Sequence, residues 1–222
     1  MRATPYSLVL LITAFAAAPA WATEETRTVP AFKAVEFKGV GQVDVTAGKD
    51  QSVTLIASKK TLEQIVTEVE DGTLKIKWES ARDRHSWLWR FVMPDDHDSD
   101  KVTVRITAPE VTKVGVSGAA EVNARNIDGA GVEFSVSGAA KIRANGKADR
   151  LTVNISGAGD ADLDQLEVKD AVVSIAGVGK AQVNPTNTLN ATIAGAGEIR
   201  YEGEPKVVSS ISGAGSVRGR KK

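Results

Sequence analysis

Aromatic, cationic and imidazole side chains are concentrated in and beside one stretch of this chain, residues 79–100, which with the adjoining Trp78 holds Arg82, Arg84, His85, Trp87, Trp89, Arg90, Phe91 and His97. Aromatic faces and guanidinium groups together suit recognition of sugar rings, anions and protein surfaces. Trp87, Trp89, Arg90 and Phe91 are therefore the candidate partner-binding residues, and the partner they suit is an envelope glycan, a protein or a second copy of the chain. The competing reading packs them against the flank of the fold. Next to them, Asp95-Asp-His-Asp-Ser-Asp100 is rich enough in oxygen donors to hold a divalent cation. An exposed polar loop accounts for the same residues, because a metal needs converging ligands that spacing alone does not supply. No metal, cofactor or catalytic residue is assigned.

A connection of about twenty residues is unusual inside a compact domain, so something rigid must present it. That scaffold is written six times between Val114 and Val217: Ser117-Gly-Ala-Ala, Ser137-Gly-Ala-Ala, Ser156-Gly-Ala-Gly, Ala176-Gly-Val-Gly, Ala194-Gly-Ala-Gly and Ser212-Gly-Ala-Gly. The copies begin 20, 19, 20, 18 and 18 residues apart, and each follows a β-branched residue, in turn Val116, Val136, Ile155, Ile175, Ile193 and Ile211. Around them apolar and polar residues alternate, as in Phe134, Val136 and Ile142, which is the period of a half-buried strand. The glycines Gly118, Gly138, Gly157, Gly177, Gly195 and Gly213 are expected to interrupt the strands at corners, where a missing Cβ lets the chain turn against the coil beneath it.

The expected fold is all-β: a right-handed parallel β-solenoid, or β-helix, with coils of 18–20 residues. Each coil holds two or three short strands, and six coils at strand spacing reach about 24 Å. A left-handed hexapeptide helix would need an unslipped six-residue period, which the wandering spacing breaks. Calcium-binding nonapeptides are suggested by Asp160, Asp162 and Asp164, but the equivalent positions in other copies include Glu121, Lys141, Lys180, Glu198 and Ser216, so no carboxylate ladder continues from turn to turn.

Residues 23–108 should form an irregular N-terminal β region capping residues 109–217. Strands are expected at 34–37, 42–46, 52–57 and 102–106, with turns at Gly39-Val-Gly41 and Gly48-Lys-Asp. One or two turns of helix are expected in 60–66, followed by a hairpin closed at Asp71-Gly72.

Met1-Arg2, the apolar run from Leu8 and Ala20-Trp-Ala22 read as a secretory signal peptide, residues 1–22, cut after Ala22. The chain is thus expected to be exported, to the periplasm or surface of a Gram-negative bacterium, without a transmembrane segment. It contains no cysteine, which excludes disulfides, thiolate chemistry and a lipid-bearing Cys. Without Arg2 there are 27 basic and 28 acidic side chains, so no electrostatic case exists for a nucleic-acid partner. The basic tail 218–222 blunts the edge of the last coil or touches an anionic surface.

Glu68-Val-Glu-Asp-Gly-Thr-Leu-Lys-Ile, Val102-Thr-Val-Arg-Ile-Thr-Ala-Pro and the Val-x-Val-Ser-Gly-Ala-Ala repeats resemble the GIN-domain family, the auto-transporter adhesin head domain, from about Phe32 to Gly215. That resemblance implies an exported bacterial β-solenoid of adhesion type with no family catalytic motif. The few residues after Gly215 include no translocator barrel or coiled-coil stalk, a departure from self-transport. The enzymatic alternative is a polysaccharide lyase or hydrolase on a β-helix, which needs acidic and basic groups converging on one face. The outward positions read instead as a mixed ladder: Glu121 and Asn123, Lys141 and Arg143, Asp160 and Asp162, Lys180 and Gln182, Glu198 and Arg200.

Overall fold

The structure, a computed structural model, describes residues 22–78 and 101–220. It is all-β apart from one short helix, and its strands form one long, mostly parallel sheet that does not close. In chain order the elements are β1 (Thr23–Arg27), β2 (Ala34–Ala47), β3 (Ser52–Ala57), α1 (Lys59–Leu62), β4 (Ile65–Glu70), β5 (Thr73–Trp78) and β6 (Val102–Ala108). The long strands β7 (Lys113–Val136), β8 (Ala139–Ile155), β9 (Ala158–Ile175), β10 (Val178–Tyr201) and β11 (Lys206–Gly219) follow. The sheet order is β1-β3-β6-β2-β7-β8-β9-β10-β11, with β5 beside β2 and β4 beside β5.

From β2 to β11 every pairing is parallel and like lies on like. Ala119 is beside Ala139, Ala139 beside Ala158, Ala158 beside Val178, and Ala196 beside Ala214. This register stacks the inward residues into apolar columns. Val116, Val136, Ile155, Ile175 and Ile193 are all buried, as are Phe37, which pairs with Val116, and Phe134, Val153, Val173 and Ala191 two residues earlier on the same strands. Burying one such side chain is worth roughly 1.5–3 kcal/mol, and a one-residue slip would turn a whole column to water. The sixth member, Ile211, has a strand on one side only among the described residues and is 44% exposed.

The strands are longer than the two or three short ones expected per coil. Backbone pairing runs through Gly118, Gly195 and Gly213, which lie inside β7, β10 and β11, and lapses only around Gly138, Gly157 and Gly177. Glycine therefore bends the chain while leaving its N–H and C=O available to the ladder, so a corner need not end a strand. For the same reason β2 runs straight through Gly39 and Gly41, where a turn was expected. The helix is a single turn, capped by the Ser58 hydroxyl, which accepts from the Thr61 N–H at 3.3 Å. Ile65 and Val66, assigned to helix by their spacing, belong to β4, because the β4–β5 hairpin offers them a partner strand. That hairpin closes at Asp71 and Gly72 with φ of 49° and 71°, the left-handed pair of a two-residue turn.

Candidate contact surface

The glycine corners lie in one column. A Cβ placed on Gly118 would overlap the carbonyl oxygen of Gly39; one on Gly138 would overlap that of Gly118. The same holds for Gly157 on Gly138, Gly177 on Gly157, Gly195 on Gly177 and Gly213 on Gly195. Each corner therefore needs a glycine because the strand beside it passes too close for any side chain. The column has a seventh member, Gly39, which lies outside the Ser/Ala-Gly-Ala pattern because lysine and valine flank it. The signal was present in Phe37-Lys-Gly-Val, which matches Val116-Ser-Gly-Ala once the apolar residue before the glycine is aligned.

The two sides of the column differ chemically. After the glycines, Val40, Ala119, Ala139, Ala158, Val178, Ala196 and Ala214 form an exposed apolar row, with Val40 at 57% and Val178 at 63% exposure. Beside it a shallow groove of about 730 Å³ runs past Ala140, Gly159 and Gly179, bordered by Lys141, Asp160, Lys180 and Glu198. Before the glycines the surface carries hydroxyls. Ser117 and Ser137 share a hydrogen bond of 2.8 Å, and Ser156 donates to the Val136 carbonyl at 3.1 Å. They line a cleft of about 280 Å³ with Glu36, Lys38, Lys113, Ser135 and Asn154. At its margin Glu133 accepts from Ser135 and sits 3.3 Å from Lys113, and these partners hold its carboxyl below the usual range.

The stretch 79–100 is spliced into this same corner. β5 and β6 both pair in parallel with β2, one after the other: Lys77 is beside Lys38, and Val102 is beside Gly41. Only the positions opposite Gly39 and Val40 lie between them, and there the chain departs at Trp78 and rejoins at Lys101. The Trp78 ring covers Gly39, where a Cβ would collide with it, and meets Phe37 edge-on at 5.6 Å and 79°. Trp87, Trp89, Arg90 and Phe91 lie outside the described residues, as do both histidines and the acidic run 95–100.

The outward charges stack as a mixed ladder, Glu121 beside Lys141, then Asp160, then Lys180. Glu121 is bound by Arg143, and Glu198 pairs with Arg200 at 3.0 Å. Asp162 is the discordant group. Partial burial, together with Asp164 and Asp160 on the same strand, pushes its pKa up. Among the described residues no three acidic or histidine side chains converge as metal ligands would, and no helix is long and apolar enough to cross a membrane.

Comparison with known proteins gives a family and a fold. The family described as "Putative auto-transporter adhesin, head GIN domain" matches residues 31–205. A crystal structure of a "putative adhesin" from Bacteroides fragilis aligns over 91% of this chain and 98% of its own, with a TM-score of 0.66 and 17% identity. That of a "putative lipid binding protein" from Parabacteroides distasonis covers the same shares with a TM-score of 0.50 and 20% identity. No curated protein matches the sequence.

Proposed function

The chain belongs to the GIN-domain family, and from that premise we propose that it is an exported, non-enzymatic contact module of the cell envelope, whose contact surface is the glycine corner and the stretch 79–100 spliced into it. The observation that carries this reading is the position of the splice. Trp78 and Lys101 stand at the head of the exposed row Val40–Ala214, so the stretch that carries Trp87, Trp89, Arg90 and Phe91 leaves and rejoins the sheet next to a long, shallow apolar groove. Aromatic and guanidinium groups beside a flat surface suit an extended partner, an envelope glycan or a protein, better than a small substrate held in a deep pocket. The mixed ladder supports the non-enzymatic reading, because its charges neutralise one another along the stack. The names given to the two structural neighbours, adhesin and lipid-binding, point to contact of this kind.

The scaffold in this reading is a right-handed β-solenoid over 109–217, capped by 23–108. Handedness rests on the general preference of parallel crossovers. Residues 1–22 serve as the signal peptide.

The test is Trp87→Ala/Trp89→Ala compared with the parent by thermal unfolding, glycan-array binding and sedimentation with anionic vesicles. Unchanged unfolding with binding lost by about tenfold or more supports the reading. Lost stability with unchanged binding would make the tryptophans part of the packing, and turnover of a polysaccharide by the parent would overturn the non-enzymatic reading.

A further inference from the structure

We propose that the outer edge of β11 is a self-association surface, and that two copies of this chain pair there, antiparallel and across a two-fold axis. The surface is distinct from the glycine corner. β11 is bonded to β10 along its whole length, from Thr188 beside Lys206 to Tyr201 beside Gly219, without the register shifts that interrupt the pairings of β7 with β8, β8 with β9 and β9 with β10. Among the described residues no strand pairs with its other side. The three apolar columns that this edge ends are left uncovered. Leu189, Ile193 and Ile199 are fully buried, whereas their neighbours Val207, Ile211 and Val217 are not.

The two ends of the main strand order, β1 and β11, differ in how they meet water. At the far edge β1 is five residues long and reads Thr-Glu-Glu-Thr-Arg, short and charged, as edges that avoid pairing are. β11 is fourteen residues long, lacks proline, and carries charge only at Lys206 and Arg218 near its ends. An edge of that kind recruits a strand.

Topology selects the partner. Head-to-tail stacking would place β11 of one copy on the outer side of β2 in the next, where the repeat begins. That side is already taken by β5 and β6, and Trp78 covers its glycine. No open filament can grow through β2, and pairing β11 with β11 of a second copy is isologous, which closes at two copies. Charge agrees with the antiparallel sense. Glu202 and Arg220 pair with each other within one chain at 3.3 Å, which leaves Glu204 just before the strand and Arg218 near its end, and antiparallel pairing brings Glu204 of each copy to the partner's Arg218.

Sedimentation velocity on the whole protein at tens of micromolar is expected to show a dimer exchanging with monomer. Ile211→Lys puts an ammonium at the end of an apolar column while keeping the backbone ladder of β10 and β11, and should weaken association at least about tenfold; it also uncovers Ile193, so a fall in thermal stability is expected beside it. Glu204→Lys and Arg218→Glu, both exposed, should each weaken it, and the double variant should recover it; this pair reads the same surface if Ile211→Lys folds poorly. A monomer at every concentration, a dimer indifferent to Ile211→Lys, an open-ended polymer, or a double variant no better than the singles would each overturn the proposal.

Discussion

The cost of a side chain at Gly157 is set by the carbonyl of Gly138 beneath it. Backbone on both sides of the contact is held by parallel ladders, so neither strand can move away without breaking register with its other neighbour. Gly157→Val is therefore expected to lower stability by about 3 kcal/mol, read as a fall in the denaturant midpoint at constant slope. Gly129 supplies the contrast. A Cβ there meets nothing within 4 Å, and Gly129→Ala should stay within about 0.5 kcal/mol of the parent. A second prediction concerns Asp162, whose pKa is raised by partial burial and by its like-charged neighbours Asp164 and Asp160. A carboxyl with a raised folded pKa favours the folded state only while protonated, and that contribution is lost as pH rises through the raised value. Asp162→Asn should thus be more stable than the parent at neutral pH, by about 0.5 kcal/mol, and the advantage should vanish in strong acid. Equal midpoints at both pH values would show that the three carboxylates do not interact.

At the scale of elements, β5 and β6 behave as one rung cut at its corner. Lys77 and Val102 leave room for two residues opposite Gly39 and Val40, and Trp78 and Lys101 occupy those places. Joining Trp78 directly to Lys101, with residues 79–100 removed, should leave the unfolding midpoint within about 1 kcal/mol of the parent, since a shorter closure costs less entropy. Unfolding of this variant at much lower denaturant would mean that the excised stretch holds the rung together. Much of this layer was legible in the sequence. The strict Ser/Ala-Gly-Ala/Val tetrads revealed the repeat and its apolar columns, and Asp71-Gly72 revealed the hairpin. The pairing of β5 and β6 with β2 was not legible. Their residues alternate as any strand does, and what makes them one rung is parallel register between segments separated by the stretch 79–100, which no local period encodes. The candidate site divides the same way: its residue types stood out in the sequence, whereas its location at the corner depended on that register.

Among the described residues, one end of the parallel stack is covered, at β2 by β5 and β6, and the other, at β11, is bare. Rungs in the middle are bonded on both sides, while β11 is bonded on one. Native-state hydrogen exchange at concentrations low enough to keep the protein monomeric should therefore be graded. The amides of β8 and β9 should open only with global unfolding, and those of β11 should open at markedly lower free energy. Uniform protection from β7 to β11 would show that the stack opens as a single cooperative unit.

The hydrogen bonds that join one rung to the next point along the stack, and this direction matters when the protein is pulled. Tension applied between the splice at Trp78 and the far end of β11 would draw the rungs directly apart. Every bond within one ladder would share the tension, and the ladders themselves would bear it in series. The first to yield is the ladder whose outer strand has no second neighbour, β10 with β11, and each later break exposes another edge like it. Such a load is thus expected to strip the stack strand by strand from β11 inward. The capped end, where β2 is held by β5 and β6 on one side and β7 on the other, would be the last to let go.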